Sequence, residues 1–119
     1  MDPTPTDAAT SVVAVMTMLP DEVSARAVTR AVLEARVAAC VNRMPPCESE
    51  YWWQGRIESA REWPLIIKTT RERYGELERV IRAAHPYDVP EIVALPVVAG
   101  LPAYLEWVGT EARGDADGA

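Results

Sequence analysis

The sequence HPYDVPE at residues 85–91 fixes where a helix ends and a strand begins, and the rest of the fold can be predicted from it. Each proline fixes its own φ angle and pushes the preceding residue out of the α-helical region, so His85 and Val89 are expected to be extended. A helix upstream must therefore end near Ala84, and the apolar run IVAL at residues 92–95 is predicted to be a buried strand. The stretch is either a functional site or a well-specified turn between a helix and a strand.

We call residues 85–91 the connector. The residues before it carry a helical pattern. Four apolar residues recur at spacings of three and four, namely Leu77, Val80, Ile81 and Ala84. Thr69 and Glu72 are three positions apart and predict a capping box with Thr69 at the N-cap. The run LIIK at residues 65–68 is predicted to be a buried strand, with Pro64 marking its start or an irregularity.

The first half of the chain begins with the apolar run VVAVM at residues 12–16, which is typical of a strand buried on both faces. Asp21 is the predicted N-cap of an amphipathic helix that ends near Val37. A second strand at residues 38–42 is interrupted by the prolines of residues 44–47, because proline cannot donate to a ladder.

The interrupted strand resumes at residues 49–53, and Gln54-Gly55 predicts a two-residue hairpin turn. The return strand begins at residues 56–58 and becomes looser over residues 59–62. Because strand side chains alternate, Tyr51 and Trp53 are expected on one face of this hairpin and Trp52 on the other. Large aromatic residues on both faces require burial on both faces, which predicts oligomerisation through the sheet.

The resulting order is β-α-β-β-α-β, followed by a short helix that Pro102 opens. This order predicts an α+β, ferredoxin-like sandwich, in which two helices cover one face of an antiparallel sheet. One domain is expected at residues 11–111, between flexible tails at residues 1–10 and 112–119.

Charge and composition exclude several classes of function. The chain has 119 residues, a formal net charge of −6 and a pI of about 4.8, which argue against nucleic acid or an anionic membrane as a partner. Residues 1–10 lack the basic and apolar regions of a signal peptide, so a cytoplasmic location is expected. Cys40 and Cys47 are too few for a disulfide framework and are expected to be free thiols.

The chemistry of the side chains favours metal binding over catalysis. The sequence contains no P-loop, GxSxG or HExxH motif, no enzymatic activity is predicted, and no organic cofactor is expected. His85 is the natural borderline ligand, and Met16 is a soft ligand suited to copper. The favoured interpretation of Met16 is nevertheless a core residue of the buried first strand, and the alternative for His85 is a structural hydrogen bond that shapes the turn. Cys40 is interpreted as a small buried apolar residue.

Several motifs in this order resemble the CutA family of divalent-cation tolerance proteins. They are AACVN at 38–42, YWWQGRI at 51–57, LIIKT at 65–69, HPYDVPE at 85–91 and YLEW at 104–107. The resemblance implies a ferredoxin-like homotrimer related in architecture to the PII signalling proteins. It also implies a cytoplasmic role in the response to metal ions, with copper the usual candidate, and no established enzymatic activity.

The resemblance also suggests roles for individual residues. Metal-binding members can offer a cysteine late in the first strand, where this chain has Met16, and a histidine pair where it has Ala84-His85, so weak binding of copper or another divalent cation is expected. Family positions suggest a ligand cleft lined by Tyr51, Trp52, Lys68, Tyr87 and Glu91, and an assembly role for Tyr51, Trp52 and Trp53.

Two alternatives to cation binding stay open. One is a PII-like signalling module that binds a small anionic ligand between subunits, in which Lys68 would pair with the ligand. The other is a structural trimer that serves protein interaction.

Overall fold

A computed structural model describes residues 10–114 of the chain, and these residues form five strands and three helices. In chain order they are β1 (Val12–Leu19), α1 (Glu22–Glu34), β2 (Cys40–Arg43), β3 (Cys47–Trp53), β4 (Arg56–Thr70), α2 (Tyr74–Ala84), β5 (Ile92–Pro96) and α3 (Pro102–Glu111). The antiparallel sheet has the order β2-β4-β1-β5, and β3 pairs with the first half of β4. With β2 and β3 taken as one interrupted strand, the chain has the predicted ferredoxin-like βαββαβ order.

The core lies between the sheet and the helices α1 and α2. Alternate residues of the two central strands face the helices, because successive side chains of a strand point to opposite faces. The fully buried members of this layer are Val15, Leu19, Leu65 and Ile67 from the strands, Val28 and Val32 from α1, and Leu77 and Ile81 from α2. The helical stripe predicted before the connector is therefore confirmed.

Helix α1 begins as predicted, since the Asp21 side chain accepts a hydrogen bond from the Ser24 amide at 2.8 Å. It ends at Glu34 rather than near Val37. Arg36 has a φ angle of +61°, and the Val37 amide turns back to donate to the Val32 carbonyl at 3.2 Å. This is a Schellman-type end, in which glycine usually supplies the left-handed residue. The sequence prediction placed the helix end too late, because arginine, unlike glycine, does not indicate a left-handed residue at a helix end.

Strand β4 is a single strand of 15 residues, so the prediction of a looser segment at residues 59–62 and of a strand start at Pro64 is wrong. The Met44 amide donates to the Pro64 carbonyl at 2.9 Å. The amide and carbonyl of one strand residue point to the same side, so the missing N–H of Pro64 faces the break between β2 and β3. Proline costs no ladder hydrogen bond there, because Pro45 and Pro46 already interrupt the neighbouring strand.

The predicted capping box at Thr69 is also wrong. Thr69 is a buried residue of β4, and its hydroxyl donates to the Val37 carbonyl at 2.7 Å. Pairing with β1 extends to Thr70, and a turn at residues 71–73 precedes α2. The Thr70 hydroxyl accepts from the Arg73 amide at 3.3 Å, so the side-chain contact occurs one residue later than predicted.

The opposite face of the sheet is only partly covered in one subunit. The register places Met16, Ile66 and Val93 side by side on it. Val93 and Leu95 are 45% and 49% exposed, whereas their neighbour Ile92 packs against the core. The strand after the connector was predicted to be buried, but in a single subunit it is an edge strand in which Ile92 is half-buried and residues 93–96 are exposed.

The predicted tails at residues 1–10 and 112–119 fall largely outside the described residues. Thr10 and Gly114, at the two ends of the described range, are both held: the Thr10 hydroxyl accepts from the Val12 amide, and the Gly114 amide donates to the Arg36 carbonyl. Between these ends, none of the helices is long and apolar enough to cross a membrane.

Candidate functional site

The connector begins where α2 ends, and its backbone has the predicted conformation. Helix α2 stops at Ala84, and His85 is extended with φ −83° and ψ 136°. The proline that follows explains this geometry, because its ring excludes the α-helical region for the residue before it. The side chains of the connector are therefore presented at fixed angles beside the end of β1.

Both ring nitrogens of His85 are engaged. The Tyr87 amide donates to Nδ1 at 3.2 Å, so Nδ1 carries no proton. Nε2 lies 2.7 Å from the Met18 carbonyl and therefore carries the proton and donates it. The side chain is 8% exposed. Burial lowers the pKa of His85, against smaller opposing effects of the Met18 carbonyl and the Glu62 carboxylate, which keeps the ring neutral.

Tyr87 links His85 to a carboxylate on the sheet. Its ring centroid lies 5.0 Å from that of His85, and its hydroxyl donates to Glu62 Oε2 at 3.1 Å. Burial, together with the hydrogen bond and charge of Glu62, raises the pKa of Tyr87 to about 12. Glu62 is only 9% exposed although it lies near the middle of β4. A chain of contacts thus runs from Met18 through His85 and Tyr87 to Glu62.

These residues border a cleft between the connector and the β3–β4 hairpin, with a volume of about 860 Å³. Its lining residues are Met18, Ser49, Glu50, Tyr51, Trp53, Glu62, Pro86, Tyr87, Asp88, Val89 and Glu91. Four of them carry carboxylates, and none is lysine or arginine. We call this feature the acidic cleft.

The structure brings together three of the five residues predicted to line a ligand cleft: Tyr51, Tyr87 and Glu91. Trp52 lies on the other face of the hairpin and is 72% exposed. The Lys68 ammonium lies outside the acidic cleft and donates to Asn42 Oδ1 at 2.8 Å. Sequence reasoning missed Glu62, because it assigned residues 59–62 to a loose segment, in which the face of the sheet that a side chain occupies cannot be predicted.

The predicted metal pair, His85 and Met16, does not form a site within one subunit. Met16 lies between the fully buried Val15 and Thr17 and therefore faces away from the helices, while His85 has both nitrogens in hydrogen bonds. Among residues 10–114 there is no group of three or more His, Cys, Asp or Glu side chains placed to hold one ion. The carboxylates of the acidic cleft are the donors that fit a divalent cation, because hard cations prefer oxygen ligands.

Cys40 and Cys47 are free and half-buried, as expected for thiols outside a disulfide. Cys40 lies opposite Lys68 in the β2–β4 ladder, so it is not the core residue that the sequence suggested. Cys47 lies opposite Glu62 at the start of β3, on the same face of the hairpin as the acidic cleft.

The fold and the cleft together define a small ferredoxin-like protein with an acidic cleft beside its β3–β4 hairpin. Comparison with known proteins gives the family. The family model described as CutA1 divalent ion tolerance protein matches residues 13–111, and the chain belongs to this family. The resemblance found in the sequence motifs is thereby confirmed.

Two relatives align in sequence with most of this chain. The divalent-cation tolerance protein CutA of Thermus thermophilus is 44% identical over 94 residues, which are 79% of this chain and 91% of the relative. Protein CutA of Mus musculus is 45% identical over 98 residues, which are 82% of this chain and only 55% of the relative. The chain therefore spans about half the length of the mouse protein.

The solved structure of CutA from Xylella fastidiosa superposes with a TM-score of 0.85 at 38% identity. The match covers 87% of this chain and all of that structure. The family is described by tolerance to divalent ions rather than by a reaction.

Proposed function

We propose that this chain acts in tolerance of divalent metal ions, and that it does so by binding them, copper(II) among them, weakly at the acidic cleft. We further propose that it works as a homotrimer in the cytoplasm. The observation that carries the cation assignment is a cleft lined by four acidic residues and by no lysine or arginine. A cleft of one sign of charge raises the local concentration of ions of the opposite sign.

The donor set supports hard or borderline divalent ions. The acidic residues that line the cleft are Glu50, Glu62, Asp88 and Glu91. Carboxylates suit Mg²⁺, Ca²⁺ and Mn²⁺, and copper(II) binds most N/O sites more tightly than the other first-row ions. Since no three such groups converge within the described part of one subunit, water molecules or a neighbouring subunit complete the coordination, and modest affinity is expected.

Exposed aromatic residues support the homotrimer. Trp52 and Ile57 are cross-strand neighbours on the outer face of the hairpin, and both are well exposed in one subunit. The apolar side chains of Val93 and Leu95 lie uncovered on the sheet. Apolar surface of this extent is typical of an interface between subunits.

The position of Lys68 gives no support to a PII-like anion site in this cleft. Its ammonium is held by Asn42, on β2, and none of the residues that line the cleft is lysine or arginine. An anionic ligand would have to enter a cleft lined by four acidic residues, which disfavours it electrostatically.

Calorimetric titration tests the cation proposal. The protein is titrated with manganese(II) and copper(II) at pH 7.5 without reducing agent, as wild type, as Glu62→Gln/Asp88→Asn, and as Glu34→Gln. Glu34 is an exposed carboxylate of α1 paired with Arg30, and it serves as the matched control. The double variant is expected to bind manganese(II) at least about tenfold more weakly, and the control is expected to bind like wild type.

Equal binding by the wild type and the double variant would overturn the acidic cleft as the cation site. Absence of any cation binding, combined with binding of a nucleotide or another anionic metabolite that is lost in Lys68→Ala, would favour the PII-like alternative instead.

A further inference from the structure

We infer that His85 and Tyr87 are positioning residues of the acidic cleft, and that the cation does not bind His85. Together they form a hydrogen-bonded chain from the Met18 carbonyl to the Glu62 carboxylate. This inference rests on the proposed function for the identity of the ligand. It concerns how the chain holds the cleft in shape, and it assigns the only histidine a role other than that of a ligand.

The first step concerns the lone pairs of His85. A neutral imidazole has one donor and one acceptor nitrogen, and a metal requires the acceptor. Here the acceptor Nδ1 already receives the Tyr87 amide at 3.2 Å, and Nε2 donates to Met18 at 2.7 Å. A cation at either nitrogen would leave a backbone group of this 8%-exposed environment unpaired, which is unfavourable.

The second step concerns Tyr87. Its amide is fixed by His85, its ring packs 5.0 Å from the imidazole, and its hydroxyl donates to Glu62. One backbone contact and two side-chain contacts of this residue determine where that hydroxyl lies. Since Glu62 is nearly buried and carries a charge, it requires such a donor.

The third step concerns Glu62 itself. It projects into the cleft from β4, a strand held on both sides over its second half, whereas Asp88 and Glu91 belong to the connector. A carboxylate can accept about four hydrogen bonds or metal contacts, so one bond from Tyr87 leaves capacity for a cation. Hydrogen-bonding partners of this kind orient metal-binding carboxylates and adjust their affinity. His85 and Tyr87 therefore act on a cation through Glu62.

Pulsed electron paramagnetic resonance of the copper(II)-loaded protein separates the two roles of His85. Coordinated imidazole gives a characteristic nitrogen modulation, and the chain has one histidine, so any such signal comes from His85. The wild type loaded with copper(II) chloride is expected to lack this modulation. Its presence, together with its loss in His85→Gln, would overturn the inference.

Conservative variants provide the second readout. Gln can keep the donor to Met18, Asn can keep the acceptor for the Tyr87 amide, and Tyr87→Phe removes only the hydroxyl that contacts Glu62. Tyr87→Phe is expected to weaken manganese(II) binding roughly tenfold. His85→Gln and His85→Asn are expected to bind better than His85→Ala. Wild-type affinity in Tyr87→Phe would contradict the positioning role.

The metal-free protein distinguishes failure of this inference from failure of the proposed function. Nitrogen-15 NMR of the His85 ring at pH 7.5 is expected to show the neutral form protonated at Nε2. A ring protonated at Nδ1, or a charged ring, would overturn the hydrogen-bonded chain whether or not any cation binds. If the ring has the expected form and no cation binds, only the proposed function fails.

Discussion

His85 occupies a position at which one backbone contact, the hydrogen bond from the Tyr87 amide, demands its neutral form. Nδ1 must accept from the Tyr87 amide, and a protonated imidazole has no acceptor. Burial already lowers the pKa of His85 in the folded chain. Acid therefore acts against this side chain in two ways, by charging a buried ring and by turning an acceptor into a donor.

The pH dependence of stability follows from this shift. In the unfolded chain the histidine pKa is about 6.5, and the folded value lies below it. Between the two values the unfolded state binds more protons, so the free energy of unfolding falls as the pH decreases below about 6.5. Urea denaturation at one protein concentration between pH 5 and 8 measures this decrease in the free energy of unfolding. The decrease is expected to be larger in wild type than in His85→Gln. An equal decline in both proteins would contradict the assignment.

Asp21 is the second residue whose side chain satisfies a backbone hydrogen-bonding group. It caps α1 through the Ser24 amide, and the Ser24 hydroxyl also donates to it at 2.6 Å. These hydrogen bonds lower the pKa of the Asp21 carboxyl. Asp21→Ala is expected to lower the urea midpoint, and Asp21→Asn is expected to retain most of the cap because its side-chain oxygen still accepts. Equal midpoints for Asp21→Ala and wild type would argue against the cap.

At the scale of elements, the hairpin between β3 and β4 supports one wall of the acidic cleft. Its turn residues Gln54 and Gly55 have φ angles of +51° and +80°, as in a type I′ turn. The sequence predicted this turn correctly, because few residue pairs other than X-Gly tolerate two positive φ angles.

Replacement of Gly55 tests the turn. A Cβ at Gly55 meets no atom within 4 Å, so the cost of Gly55→Ala comes from its φ angle alone and should be about 1–2 kcal/mol. Gly75 has equally open surroundings but lies in the first turn of α2, so Gly75→Ala is the matched control and should stabilise by about 0.4–1 kcal/mol. Thermal unfolding of both variants is the measurement, and equal losses would contradict a conformational origin.

Local patterns predicted most elements well and several of their ends poorly. The stripe that ends at Ala84 and the extended His85 follow from periodicity and from proline, which act within a few residues. Thr69 carried a capping signal, yet pairing with β1 retained it in β4, because ladder contacts outweigh a side-chain cap. Glu62 could not be assigned to the cleft from the sequence either. The face of the sheet on which its side chain lies is fixed only because β4 continues through Pro64.

At the scale of the whole molecule, a single subunit leaves aromatic surface uncovered. Trp52 is 72% exposed at the hairpin and Trp107 is 43% exposed on α3. The sequence predicted aromatic residues on both faces of the hairpin, because alternation is a property of any strand. It could not show how subunits meet, since that depends on the combined shape of distant elements.

Substitution of the two tryptophans tests where subunits meet. Trp52→Ala is expected to dissociate the assembly more than Trp107→Ala, because Trp52 has few intrachain contacts to lose and the larger exposed area to bury. If an interface buries it fully, truncation costs roughly 3–5 kcal/mol of association free energy. Multi-angle light scattering at micromolar concentration measures subunit number, and dissociation by Trp107→Ala alone would contradict the expectation.

Native mass spectrometry with manganese(II) tests the central claim most directly, because subunit number and bound cations are read from one mass. Wild type is expected to appear at three times the subunit mass, with manganese adducts that are lost in Glu62→Gln/Asp88→Asn. The trimer itself should persist in that variant. A wild-type monomer, or equal manganese adducts in both proteins, would contradict a trimer that binds divalent cations at the acidic cleft.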